Sequence, residues 1–285
     1  MKKAILILIL MITILNAYSS SLRVEPIELQ KNIKKYKIID TRAHDVYLNG
    51  HVKNAINFPV NLTYSHKKIN GKLTDPMTMQ KIIQNLGLHA NDPIVIYDDG
   101  TFFDAARLFW ALEVYGFTNI KLLNAGYKQW KKQIFSVSTA IPKITKSDYI
   151  TIINNNRLAT KFTTQIATKN PSQIIIDARP DEAYLGKISA AKRFGHIPKA
   201  INIPATHNIN YDKKLSVLKG LHSLTDLYQG VDKTKKVVVY CAIGRIASTN
   251  YFAMRELGYD VANYDASWKE WGNDFKLPII NKSKE

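Results

Sequence analysis

The chain repeats itself, and that repeat constrains the fold more than any single segment. Ile38-Ile39-Asp40-Thr41-Arg42 returns 137 residues later as Ile175-Ile176-Asp177-Ala178-Arg179. Gly50-His51-Val52-Lys53-Asn54-Ala55-Ile56-Asn57-Phe58-Pro59 returns as Gly195-His196-Ile197-Pro198-Lys199-Ala200-Ile201-Asn202-Ile203-Pro204 at an offset of 145, so the second copy carries eight extra residues between these motifs. Ile94-Val95-Ile96-Tyr97-Asp98 returns as Val237-Val238-Val239-Tyr240-Cys241. Trp130 and Trp271 close the copies in Gly-Tyr-Lys-Gln-Trp and Ser-Trp-Lys-Glu-Trp. Four matches in one order mean a duplicated domain rather than a short-period solenoid.

Within each copy, short apolar runs alternate with stretches of helical spacing. The first copy predicts strands over 38–39, 94–97 and 120–123, and helices over 77–86 and 105–115. The second predicts strands over 174–176, 200–203 and 237–240, and helices over 215–228 and 246–257. Such alternation calls for an α/β fold, with a parallel sheet covered by helices in each copy. Ligands of these folds bind beyond the carboxyl ends of the strands. Residues 140–164, with Pro142 and Asn154 to Asn156, read as a connector holding a short helix around 147–153.

The single cysteine stands at one of those strand ends. Cys241 closes the run Val237–Tyr240 and is followed by Ala242-Ile243-Gly244-Arg245 and the helical stretch from Ile246. A strand, a short glycine loop and a helix start bring backbone N–H groups to bear on the sulfur. Those donors favour the thiolate, the form in which cysteine is a nucleophile. The bland alternative is a buried cysteine acting as a small hydrophobe. The corresponding residue of the first copy, Asp98, cannot take on sulfur, so that copy is expected to be silent.

The N-terminus suggests where the thiol works. Lys2 and Lys3 precede the apolar run 4–15, and Asn16-Ala17-Tyr18-Ser19 is small and polar. That is a secretory signal pattern, with cleavage expected after Ser19, and the run is short for a membrane span. Residues 1–19 are therefore read as a signal peptide, with a periplasmic or secreted protein as the product. One cysteine leaves no internal disulfide. The formal charge is +17, and two of those lysines lie in the signal. The remaining lysines are scattered, with no long basic tract and no nucleic-acid motif. They read as a solvated surface whose positive field draws small anions. No His/Cys/Asp group has metal-ligand spacing, and neither a cofactor nor stable membrane insertion is expected.

Both copies resemble rhodanese domains, and the chain after the signal resembles the tandem thiosulfate and mercaptopyruvate sulfurtransferases. The resemblance is carried by Asp-x-Arg, Gly-His-[Ile/Val], Tyr-Cys-x-x-Gly and Tyr264-Asp265-Ala266-Ser267-Trp268-Lys269-Glu270-Trp271. Tyr97-Asp98-Asp99-Gly100 followed by Ala105-Ala106-Arg107 resembles the family's inactive N-terminal domain. The resemblance implies a silent rhodanese-like domain over 22–139 and a catalytic one over 165–285. It also implies transfer of sulfane sulfur through a Cys241 persulfide, with the active loop facing the domain interface. The donor would be a small anion, thiosulfate before 3-mercaptopyruvate, and the acceptor cyanide or a small or protein thiol.

Around that anion, the amides of Ala242, Ile243, Gly244 and Ile246 are expected to line the substrate site. Arg245 either binds the donor or faces solvent. Arg179 either binds it or pairs with Asp177, a pairing that Asp40 and Arg42 would repeat in the silent copy. Arg193 is a further anion-binding candidate. His51 and His196 recur in both copies and read as structural hydrogen bonders, and the four tryptophans as core. The loop departs from the family's best-known forms. Ala242 and Ile243 stand where thiosulfate enzymes carry basic residues, the Gly-Ser-Gly of mercaptopyruvate enzymes is absent, and Ala183 replaces a second substrate arginine. A phosphatase of related fold would need arginine six positions after the cysteine, which here is Ala247. A non-enzymatic persulfide carrier would share every residue named and remains the alternative.

Overall fold

The computed structural model describes residues 21–65, 71–211 and 216–284. The expected signal lies outside them. Each copy is a five-stranded parallel sheet. In the first, the order is Arg23–Val24, Ile120–Leu123, Ile94–Tyr97, Lys37–Asp40, Ile56–Asn57. In the second, read from the corresponding edge, it is Leu158–Ala159, Val261–Tyr264, Lys236–Tyr240, Gln173–Asp177, Ala200–Asn202. The central strands are continuous apolar runs because helices cover both of their faces. Cys241 and Asp98 leave the central strands of their sheets at equivalent points.

Two helices join the copies. Phe103–Val114 is buried nearly all round, as is most of Ala247–Glu256. Each helix packs its own sheet on one side, and the two cover each other on the side between the domains. Phe109 meets Phe252 edge to face, 5.0 Å between centroids. One apolar core runs from Ile96 in the first sheet to Val239 in the second through this pair. Glu113 sits at its rim and accepts from the Tyr251 hydroxyl and, at 2.9 Å, from Arg255 Nη2.

The copies also exchange short hairpins. Tyr64 bridges Leu73 in the first, and Ile209–Tyr211 pairs with Ser216–Leu218 in the second. The Leu73 amide donates to Asp265 Oδ2 of the other copy at 3.1 Å, and the Leu218 amide to Asn124 Oδ1 at 2.9 Å. This exchange corrects the helix expected over 215–228: Ser216–Leu218 is a strand, and the helix covers only Leu221–Leu227 behind Gly220. No helix forms around 147–153 either. That segment has no regular secondary structure and is held by the first domain, with the Tyr149 hydroxyl on Tyr115 O and the Thr151 amide on Gln80 Oε1. The second sheet takes up Leu158–Ala159, so its domain starts inside what the sequence assigns to the connector.

Candidate active site

The strand Lys236–Tyr240 carries Cys241 to its carboxyl end, where the residue is only 1% exposed. The backbone just beyond is tied down from outside. The Cys241 amide donates to Ser267 Oγ at 3.1 Å, its carbonyl accepts from the Trp268 amide at 2.9 Å, and Ala242 O accepts from the Lys269 amide at 2.9 Å. Ser267 adopts φ +53° to make these contacts, a left-handed conformation that costs energy for a residue with a Cβ. Gly244 turns the loop at φ +69°, and a Cβ there would lie 2.5 Å from Asp265 O. Its carbonyl accepts from Arg107 Nη1 (3.2 Å), Ser248 Oγ (2.9 Å) and Asn263 Nδ2 (2.9 Å). With its carbonyls so occupied, the loop keeps its donors: among the described residues the amides of Ala242 to Ala247 have no acceptor. Such a run of amides suits an anion held at Cys241.

The first copy shows what this loop geometry accepts. Asp98 fills its own loop, taking hydrogen bonds from the amides of Gly100 (2.7 Å), Phe102 (3.2 Å) and Ala105 (3.3 Å). Burial pushes this carboxyl above the ordinary range, and the amide bonds oppose that. A carboxylate occupies the cradle, so the expected silence of this domain has a steric and electrostatic cause as well as a chemical one.

Of the two readings of Arg179, the geometry favours the pairing with Asp177, while its Nη1 is buried with no partner among the described residues. Its Nε and Nη2 clasp Asp177, Nη2 also donates to Gly195 O at 2.7 Å, and the guanidinium lies over Trp268. Arg42 repeats this with Asp40 and Gly50 O, so the pair is structural in both copies. The expectation for Arg193 is corrected. Its guanidinium is consumed by the carbonyls of Trp271, Gly272, Asp274 and Leu277, where it braces the C-terminal turn. Arg245 does border the domain interface, but it is bidentate to Asp104 of the silent domain, at 2.5 and 2.9 Å. Its side chain is 38% exposed, and the two lie in a cleft with Arg42, Asp98, Asp99 and Thr101.

His51 and His196 behave as the repeat suggests. Each stacks on a tyrosine and bonds that tyrosine's carbonyl through Nδ1, at 2.9 and 2.8 Å. Burial lowers the basicity of His196. All four tryptophans are fully buried.

Several groups at the loop escaped sequence reasoning. Arg107 of the silent domain is completely buried, reaching Gly244 O, Gly71 O (2.9 Å) and Thr63 Oγ1 (3.3 Å), between the rings of Tyr64 and Trp110. Burial lowers its basicity, and the carboxylate of Asp265 opposes that. Gly71 lies against Ile243 so closely that a Cβ would meet its carbonyl at 2.8 Å. Asp265, whose carboxyl burial pushes up, anchors the Leu73 amide. These contacts come from residues far apart in the chain. Only the occurrence of Arg107 and Asp265 inside quoted motifs signalled them.

Comparison with known proteins agrees with this geometry. The rhodanese-like domain family matches residues 25–133 and again 158–274. A Haloferax volcanii protein with the provisional name thiosulfate sulfurtransferase is 29% identical over 267 residues, 88% of this chain and 91% of its own. The 3-mercaptopyruvate sulfurtransferase of Escherichia coli strain K12 is 26% identical over 84% of this chain and 86% of its own. The crystal structure of SseA from Escherichia coli, a 3-mercaptopyruvate sulfotransferase, matches with a TM-score of 0.77 at 25% identity, over 88% of this chain and all of that one. With both domains matched, the fold duplicated and a lone cysteine at the active-loop position, this chain belongs to the rhodanese family and is a two-domain sulfurtransferase.

Proposed function

We propose that Cys241 takes the outer sulfur of thiosulfate and passes it to cyanide or to a small thiol. The Cys241 thiolate attacks the sulfane sulfur, the donor's S–S bond breaks, and sulfite leaves with the electron pair. Cys241 then carries a persulfide anion. The acceptor attacks the outer sulfur, the new S–S bond breaks, and the thiolate returns while thiocyanate or an acceptor persulfide departs. Charge is conserved in both steps, and neither needs a metal or an added oxidant. The observation that carries this reading is the run of amides from Ala242 to Ala247, unpartnered among the described residues, beside a buried cysteine. It supports stabilisation of each anion at Cys241 by donors already in place.

Thiosulfate is favoured over 3-mercaptopyruvate because a compact dianion suits clustered amides and the nearby Arg245. The depth of Cys241 favours small acceptors over a carrier role in which a partner protein must reach the sulfur. Intact-mass spectrometry after incubation with each donor tests the proposal. A gain of one sulfur is expected with thiosulfate, reversed by cyanide and absent in Cys241→Ser. Full transfer activity in Cys241→Ser would overturn it. A preference for mercaptopyruvate of tenfold or more in kcat/KM, about 1.4 kcal/mol in transition-state terms, would overturn the choice of donor.

Export is part of this proposal. The Lys2-Lys3 start, the apolar run and the small residues to Ser19 support a protein that works in the periplasm or outside the cell. N-terminal sequencing of protein from the cell envelope is expected to begin near Ser20, and soluble cytoplasmic protein that starts at Met1 would rule it out.

A further inference from the structure

The Tyr64 hydroxyl is buried and has no hydrogen-bond partner among the described residues. Burying an unpaired hydroxyl costs folding free energy, and native structures rarely carry one without a reason. Here the residue is held firmly where it is. Tyr64 bridges Leu73 in the hairpin that the silent domain lays toward the active loop. The Arg107 guanidinium lies on its ring, 4.3 Å from the centroid, and the same guanidinium donates to Gly244 O. The hairpin closes on the loop again at Gly71 and Ile243. The phenol sits in the field of Arg107, Arg245, Asp104 and Cys241, and burial is the strongest influence on it, which keeps the hydroxyl protonated and able to donate.

We propose that the Tyr64 hydroxyl is a hydrogen-bond donor to the outer sulfur of the Cys241 persulfide, so that the silent domain contributes a group to the reacting atoms. The proposal rests on the persulfide reading of Cys241. Among the described residues the resting chain offers this hydroxyl no acceptor. The outer sulfur exists only in the loaded enzyme and supplies one. A bond made in the loaded state and absent from the resting state stabilises that state selectively. Arg107 is then a positioning residue: it holds the Tyr64 ring with one face and the Gly244 carbonyl with Nη1.

Tyr64→Phe keeps the ring and its stacking on Arg107 and removes only the hydroxyl. Wild type and variant are loaded with thiosulfate, and three quantities are followed: persulfide occupancy by intact mass, its decay in buffer, and the melting temperature before and after loading. The unloaded variant is expected to melt at or above the wild-type temperature, because an unpaired hydroxyl has gone. Its persulfide should decay about tenfold faster, the scale of one lost hydrogen bond to a charged group, and loading should raise its melting temperature less. Equal persulfide lifetimes in a loaded wild type and variant would overturn this inference while leaving the function intact. A variant that melts lower when unloaded would reveal a structural partner for the hydroxyl and would also overturn it. A wild type that takes up no sulfur would overturn both readings.

Discussion

Arg179, Arg193 and Arg245 do different work in this protein, and the partners decide which. Arg179 neutralises a fully buried carboxylate, so its loss strands a charge. Arg179→Met is expected to destabilise the fold by roughly 3–5 kcal/mol, read as a lower denaturant midpoint with unchanged slope. Arg245 bridges to Asp104 at a half-open site, where an ion pair adds little to stability. Arg245→Ala should leave the midpoint nearly unchanged. If Arg245 contacts the donor, kcat/KM for thiosulfate should fall by roughly 1.5–3 kcal/mol in transition-state terms. An unchanged rate would leave donor binding to the amides alone. The motif spacing made all three candidate arginines visible but could not sort them. A guanidinium serves a carbonyl, a carboxylate or a ligand with the same donors. Arg193 meets carbonyls some 80 positions along the chain, for example Trp271 O at a separation of 78, and nothing near it in sequence announces them.

At the level of elements, the active loop is a strand end whose carbonyls at Cys241, Ala242 and Gly244 are tied to its surroundings, while its amides from Ala242 to Ala247 have no partner among the described residues. Gly244 makes that possible twice over, through its left-handed φ and through the missing Cβ beside Asp265 O. Gly244→Ala must shift the Asp265 backbone or abandon the turn. It is expected to cost about 1–3 kcal/mol of stability for the backbone strain alone and to abolish persulfide formation, as intact mass would report. Normal loading by this variant would mean that the turn is not needed to hold the anion. The strands over 94–97, 120–123, 173–177 and 236–240 and the two long helices were legible in the sequence within two residues, because continuous apolar runs and helical periodicity are local signals, whereas the interior strand Val261–Tyr264 was missed. The hairpins were missed too. Ser216–Leu218 reads as helix by spacing alone, yet it is recruited as strand by Ile209–Tyr211 and by Asn124 of the other copy. Tertiary pairing overrode a short stretch of weak periodicity.

For the whole molecule, the two domains share one core, so neither can be treated as an independent folding unit. Phe252 sits at its centre, fully buried against Phe109. Phe252→Ala should destabilise the protein by about 3–5 kcal/mol and do so in one cooperative transition seen by probes in both halves. Two separate transitions would show that the shared core does not couple the domains. The duplication itself was the clearest message of the sequence. What it could not convey is that the copies pack through Phe103–Val114 and Ala247–Glu256, because register between domains depends on contacts with no fixed spacing.

The reciprocal hairpins carry an evolutionary implication. Leu73 reaching Asp265 and Leu218 reaching Asn124 is the pattern expected of two identical chains that once met as a symmetric pair and were later fused. Each partner in such a pair completes the other's loop. The half whose loop carries Asp98 supplies Arg107 and Gly71 to the loop of its neighbour. Selection should therefore hold these positions in the inactive half as tightly as it holds the loop around Cys241. A survey of loss-of-function substitutions should find its hits spread across both halves of the chain, clustered in space and not in sequence.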